Sequence, residues 1–193
     1  FLHTNYGQRT EKRELQAFLE LAVHYKINEQ LIIDLTHLGQ IGGSCLTDLD
    51  IPIPDANLET DEIPTSYVPF RNANILSAAA SWAEVINAKV IYIGAVEEDS
   101  SGYPDCRRSF YDAFEKTIAE GTKPGTDLKI ETPLIHLNKS EIIKKGLELH
   151  APLELTWSCY KNNDVPCGIC DSCELRERGF MLAGIPDPIY QTE

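Results

Sequence analysis

Methionine is almost absent from this chain of 193 residues: Met181 is the only one, and the sequence opens on Phe1-Leu2-His3-Thr4. That opening has neither the basic nor the apolar region of a secretory signal, and without an initiator it is expected to follow an upstream piece. Basic residues are scarce as well. Seventeen Lys and Arg stand against 30 Asp and Glu, a formal charge of −13, and no Lys/Arg block occurs. Such a field repels phosphate backbones, which argues against sequence-independent binding to nucleic acid or to an anionic membrane surface. No apolar run approaches the roughly 20 residues of a membrane span. With 42% hydrophobic and 24% charged residues, the chain reads as a soluble globular protein of the cytoplasm with one main core. The expected partners are small molecules, with no nucleic acid and no membrane; a homodimer is left open.

Cysteine is not scarce, and its placement is uneven. Four of the six cysteines, Cys159, Cys167, Cys170 and Cys173, have the spacing C-x7-C-x2-C-x2-C. Without a secretion signal, such clustering favours a metal over disulfides. Two-residue gaps let neighbouring thiolates converge on one ion, and four of them complete a closed tetrahedral zinc shell, which favours a structural role. Gly168 eases the tight turn between Cys167 and Cys170. The alternative is an iron–sulfur cluster, but the ferredoxin run would continue with C-x3-C-P, and no cysteine follows Cys173. Cys45 and Cys106 lie apart and read as ordinary residues, with Cys106 as a nucleophile the weaker alternative.

Apolar periodicity alternates between helix and strand. Leu15, Phe18, Leu19, Ala22 and Val23 form one helical face, and Leu31-Ile32-Ile33 reads as a short buried strand. The Gly-, Pro- and Asp-rich stretch 39–67 reads as a long loop. A second helix carries Ile75, Leu76, Ala79, Ala80, Ala83 and Ile86 and ends near Asn87. Val90–Gly94 reads as a second strand opening into a polar loop over Glu97–Arg107. Phe110, Phe114 and Ile118 mark a third helix, Lys129–Glu131 a third strand, and Ser140–His150 a fourth helix. This alternation predicts an α/β fold, a mostly parallel sheet covered on both faces, with ligands beyond the carboxyl ends of the strands. Residues 1–150 are expected to form one α/β domain, and 151–193 a zinc-binding subregion packed on it.

Several residues fit ligand chemistry, each with a plainer alternative. Arg71-Asn72 stands at a helix start, where backbone N–H groups favour anions and an Arg adds a planar fork; alternatively Asn72 caps the helix and Arg71 is solvated. The loop 97–107 offers Glu97, Asp99, Tyr103, Asp105 and Arg107 at a strand exit, or it is a solvated acidic turn. Lys139 opens a helix and is a surface lysine or a phosphate contact. His3 and His136 fall at strand ends and read as structural.

Taken together, Tyr6-Gly7-Gln8-Arg9, Ile51-Pro52-Ile53-Pro54-Asp55, Val68-Pro69-Phe70-Arg71-Asn72, Gly102-Tyr103-Pro104-Asp105-Cys106-Arg107, Glu131-Thr132-Pro133-Leu134 with Lys139, and the cysteine cluster resemble the 7-cyano-7-deazaguanine synthase family. That family lies in the PP-loop ATP pyrophosphatase superfamily, and the likeness runs from about Thr4 to about Pro188. Two departures stand out. Phe70 occupies a position where family members generally have Gly, which is expected to crowd the loop backbone. The Ser-Gly-Gly-x-Asp-Ser phosphate loop is absent, and by analogy it and the first strand are expected upstream of Phe1.

The resemblance implies a Rossmann-like, doubly wound sheet of the adenine-nucleotide alpha-hydrolase kind. It also implies an ATP-dependent ligase of queuosine biosynthesis that converts 7-carboxy-7-deazaguanine and ammonia to the nitrile. ATP with magnesium would activate the carboxylate, ammonia would form an amide, and a second activation would drive dehydration. Under this reading Arg71, Arg107 and Lys139 act on the reacting groups, with Arg71, Asn72 and Lys139 holding ATP. Glu97, Asp99 or Asp105 would accept the paired N1–H and 2-amino donors of the base, Tyr103 would stack on it, and Arg107 would meet its carboxylate. The alternatives are another PP-loop activity such as tRNA thiolation, which the charge opposes, or a non-catalytic zinc-binding interaction module.

Overall fold

A computed structural model describes residues 1–59, 62–96 and 102–190. In chain order these form β1 (Leu2–Asn5), α1 (Glu11–His24), β2 (Leu31–Asp34), α2 (His37–Ile41), α3 (Arg71–Ile86), β3 (Val90–Tyr92), α4 (Arg108–Gly121), β4 (Lys129–Glu131), α5 (Lys139–Glu148) and α6 (Asp171–Ala183). Short 3-10 turns cover Pro104–Cys106, Leu153–Leu155 and Pro188–Tyr190. The chain divides into two compact units. One comprises the described residues of 1–60, 65–68 and 138–193; the other those of 61–64 and 69–137. The cysteine subregion expected from residue 151 onward is a part of the first unit.

Within the first unit β1 and β2 pair in parallel, Leu2 opposite Leu31 and Asn5 opposite Asp34. A parallel pair needs a crossover, and α1 supplies it. The helix buries Ala17 and Ala22, while Leu19 and Val23 of the expected apolar face are exposed. β2 also differs from the fully buried strand its apolar run suggests: Ile32 is exposed between half-buried Leu31 and Ile33. A continuous apolar run does not reveal which alternate side chains a helix covers, because strand residues point to both faces in turn.

α5 begins with a reciprocal capping box. Asn138 Oδ1 accepts from Glu141 N–H at 3.0 Å, and Glu141 Oε2 accepts from Asn138 N–H at 2.9 Å. α6 packs on α5 at Gly179, where a Cβ would come 2.8 Å from Lys139 Cβ and 3.0 Å from Ile143 Cδ1. A Gly179→Ala chain must therefore spread the two helices. It is expected to lose about 1–3 kcal/mol of stability despite the better helix propensity of alanine, measured by urea unfolding. Unchanged stability would show that α5 and α6 can separate without cost.

Within the second unit β3 and β4 pair in parallel, Val90 opposite Lys129 and Tyr92 opposite Glu131, with α4 as the crossover. Leu76, Ala80 and Ala83 of α3, Tyr111 and Ile118 of α4, Ile130 of β4, and Ala95, Leu128 and Ile135 form the core. α3 stops at Asn87, whose φ of 56° lies in the left-handed region; Asn87 and Ala88 N–H both reach back to Ala83 O. Glu115 of α4 ties the helix to the sheet by accepting from Ile130 N–H at 2.9 Å and Lys129 Nζ at 3.2 Å. The Ile130 amide holds this carboxyl below its usual range, with the Lys129 ammonium adding to the effect. Its small contribution is thus present above the unfolded carboxylate range and lost as pH falls through the lowered value.

Candidate metal centre and ligand-facing loops

The four clustered cysteines converge in the first unit. One sulfur from each of Cys159, Cys167, Cys170 and Cys173 lies within 4.8 Å of the others, and Cys167 Sγ and Cys173 Sγ are 3.9 Å apart. A tetrahedral shell with metal–sulfur bonds of about 2.3 Å requires sulfurs about 3.8 Å apart, so the spacing suits one ion. Gly168 adopts a φ of 76°, the left-handed turn its position requires. Cys159 Sγ accepts N–H groups from Lys161 and Asn162 at 3.3 Å and from Cys167 at 3.4 Å. The Cys170 and Cys173 thiols push Cys159 strongly toward the thiolate, and the Asn162 and Cys167 amides add to the effect. The same hydrogen bonding raises Cys170 to about 11 and raises Cys173 too. Ile53, Trp157 and Tyr160 pack around the cluster and shield it. Cysteine sulfurs in this geometry can hold a metal ion.

The Tyr6–Arg9 motif, which sequence alone could only set near a ligand, has a defined structural task. Arg9 Nε donates to Cys45 O at 2.8 Å, and Nη2 donates to Asp48 O at 2.9 Å and Ile51 O at 2.7 Å. One guanidinium thereby gathers three carbonyls of a loop with little regular structure. The loop continues through Ile53 to the cysteine cluster, where Ala56 N–H donates to Ile169 O at 2.8 Å and Asn57 N–H to Asp171 Oδ1 at 3.1 Å. Lys139 is half-buried at the start of α5 in this unit. Cys45 is wholly buried, its thiol pushed up by desolvation, as suits an ordinary core residue.

The second unit holds the remaining candidates. Glu97 and Asp99 lie outside the described residues. Phe70 precedes α3 with a φ of 58°, left-handed backbone that glycine adopts without strain. The phenylalanine ring sits largely exposed and meets Phe110 edge-on at 6.1 Å. Arg71, the first residue of α3, is half-buried. Asn72 is buried, and its backbone N–H donates to Asp105 Oδ2 at 2.9 Å. The α3 amino end thus already takes an anion from within the chain, the carboxylate of Asp105.

Asn72 Nδ2 returns a bond to Asp105 O at 2.9 Å and lies 3.3 Å from Cys106 Sγ and 3.4 Å from Tyr111 Oη. Burial raises both the Cys106 thiol and the Tyr111 hydroxyl, and the Arg71 guanidinium pulls each partly back. A buried, proton-bearing thiol suits a hydrogen-bond acceptor better than a nucleophile. Tyr103 is buried, and its carbonyl accepts from Cys106 N–H at 3.1 Å. Arg107 stands exposed at the amino end of α4. Beyond β4, Thr132 is buried and accepts from Arg108 Nη1 at 2.7 Å, while Asp112 holds the rest of that guanidinium.

An α/β protein with parallel strands joined by helical crossovers, polar turns at strand exits and a four-thiol metal site is the class defined by these features. A family model described as "Queuosine biosynthesis protein QueC" matches residues 1–184, and the chain belongs to that family. Among its relatives are proteins named 7-cyano-7-deazaguanine synthase. That of Chlorobium chlorochromatii is 60% identical over 192 residues, covering 99% of this chain and 84% of the relative. Those of Chlorobium phaeobacteroides and Chloroherpeton thalassium are 62% and 61% identical over 188 residues, covering 97% of this chain and 83% of each relative.

Proposed function

We propose that this chain is an ATP-dependent carbon–nitrogen ligase that forms 7-cyano-7-deazaguanine from 7-carboxy-7-deazaguanine and ammonia. The observation that carries this reading is the 60% identity, over nearly the whole chain, to a protein named for that product. The chemistry has a simple physical requirement. Carboxylate and amide oxygens leave poorly, and bonding each in turn to a phosphorus of ATP makes departure feasible. Ammonia replaces the first activated oxygen to give the amide, and loss of the second with two N–H protons leaves the nitrile. Magnesium would travel with the ATP phosphates. Zinc is the ion we assign to Cys159, Cys167, Cys170 and Cys173, in a structural role set by its closed shell.

Roles follow residue by residue. Arg71 presents a guanidinium at the start of α3 for the anionic groups of ATP, and Lys139 offers a point charge for phosphate. Arg107, exposed beside the 3-10 turn, meets the substrate carboxylate. One oxygen of Asp105 is committed to Asn72, so Glu97 and Asp99 are the carboxylates we assign to the paired N–H donors of the base. The purified protein, given carboxy-deazaguanine, ammonium and magnesium ATP, is expected to produce the nitrile, read by mass spectrometry. ATP should be consumed only when the acid is present. ATP turnover that ignores the acid, or conversion of a different acceptor, would overturn the reading.

A further inference from the structure

We infer that Asp105 and Asn72 form a positioning pair, locking the 3-10 turn Pro104–Cys106 onto the start of α3 so that Arg71 and Arg107 are presented to the substrate from one rigid frame. Two reciprocal bonds join segments 33 residues apart: Asn72 N–H to Asp105 Oδ2, and Asn72 Nδ2 to Asp105 O, each at 2.9 Å. Both residues are buried, with relative exposures of 7% and 4%, so neither bond is replaced cheaply by water. Arg71 precedes one partner directly, and Arg107 follows the other by two residues. The floor of the frame is equally fixed, because Tyr111 beneath it is fully buried. Arg71 makes its charge felt there, drawing down the Cys106 thiol and the Tyr111 hydroxyl.

The pair also addresses a geometric need of the reaction. Two cations at separate helix starts gain little by meeting their anions, ATP phosphate and substrate carboxylate, unless their separation is set before binding, since ordering them on contact costs entropy. A carboxylate at the helix amino end supplies that order, as its acceptor oxygen meets an otherwise unpaired N–H.

The inference rests on the ligase reading, and three variants separate the two. Asp105→Ala removes the acceptor and is expected to raise KM for carboxy-deazaguanine at least tenfold, with the same weakening in calorimetric Kd. Asp105→Asn keeps an oxygen able to accept from Asn72 N–H and is expected to stay within about threefold of the parent. Were Asp105 instead a direct reader of the base, the Asn variant would fail as badly as the Ala variant, and the positioning role would be overturned. Ile130→Val, a core change in the same unit, controls for lost stability alone and should leave KM within about twofold. If Asp105→Ala does not fold, Asn72→Ala carries the same test, since it deletes the return bond and keeps Asp105. Parental KM in whichever of the two folds would also overturn the inference. A parent chain that makes no nitrile would count against the ligase reading and not against the pair, whose loosening would still appear in hydrogen exchange of residues 102–107.

Discussion

A Cys173→Ser chain is expected to purify without a full equivalent of zinc and to lose about 3–5 kcal/mol of stability. The estimate follows from the roughly 10–16 kcal/mol by which structural zinc favours small zinc-finger folds at neutral pH, of which one of four thiolates forfeits a share. Against a total stability of about 5–15 kcal/mol, that share decides whether the cysteine segment stays folded. The consequences should travel further than the cluster. Ile53 packs on the cysteines, Ala56 and Asn57 hydrogen-bond to their loop, and the Arg9 guanidinium ties the same chain segment at Cys45, Asp48 and Ile51. Hydrogen exchange is therefore expected to quicken across 44–57 as well as 159–173. Cys45→Ala is the matched control, because it also removes a buried thiol yet leaves the cluster intact. It should cost about 1–2 kcal/mol and keep one zinc per chain. Acid should mimic the serine variant, as protons compete with the ion for thiolates and metal affinity falls with pH. Elemental analysis showing iron, or full stability in reduced and metal-free protein, would remove zinc from the account.

Much of the fold was legible in the apolar spacing. The helices carrying Phe18, Leu76, Phe114 and Ile143 and the strands at Leu31, Val90 and Lys129 fall where that spacing placed them. α6 was not read at all, because the cysteines and charges of Asp171–Arg178 obscure the few positions, Leu175 and Phe180 among them, that it buries. The capping box at Asn138 had a readable signal, Asn followed three residues later by Glu, ahead of the Ile142-Ile143 pair. Leu19 and Val23 illustrate the converse error. A helical stripe shows which residues share a face but not how wide a neighbour covers it, and here the contact narrows to alanines.

The candidate site was legible unevenly, for a related reason. Metal ligation is written in local spacing, so the four cysteines could be picked out and their convergence anticipated. The bond between Asn72 and Asp105 joins positions 33 apart, and no local pattern announces which carboxylate will meet which helix start. Arg71-Asn72 read as an anion-binding helix start or a plain helix cap, and in the structure the Asn72 N–H meets an internal carboxylate, that of Asp105. The left-handed φ of 58° at Phe70 likewise has no signal in the local sequence.

Asp187→Ala is expected to cost about 3–5 kcal/mol, a loss comparable with that of a metal ligand although the residue touches no metal. Arg176 Nε and Nη2 donate to the two oxygens of Asp187 at 2.6 and 2.8 Å, a bidentate pair whose side chains are only 11% and 6% exposed. The guanidinium also donates from Nη1 to Thr156 Oγ1 at 2.8 Å and lies 5.2 Å over the Phe180 ring. α6 is thereby joined to the Leu153–Leu155 turn on one side and to the segment after Gly184 on the other. Surface ion pairs are worth about 0–1 kcal/mol, so burial decides the magnitude here. Removing the carboxylate leaves a guanidinium that cannot lose its proton and, at 11% exposure, regains little solvation. It also strands Ile189 N–H, which Asp187 Oδ1 accepts at 3.1 Å. For a chain of this length the melting temperature should fall by roughly 10 °C. Arg176→Met in the same background tests the origin of the loss. If an unpaired charge dominates, the double variant should recover part of the stability that Asp187→Ala loses, and the two changes will not add. Additive losses would instead mark Asp187 as a backbone acceptor and Arg176 as packing on Phe180. Both variants are to be unfolded zinc-loaded, because ion loss would otherwise add its own destabilisation to the difference.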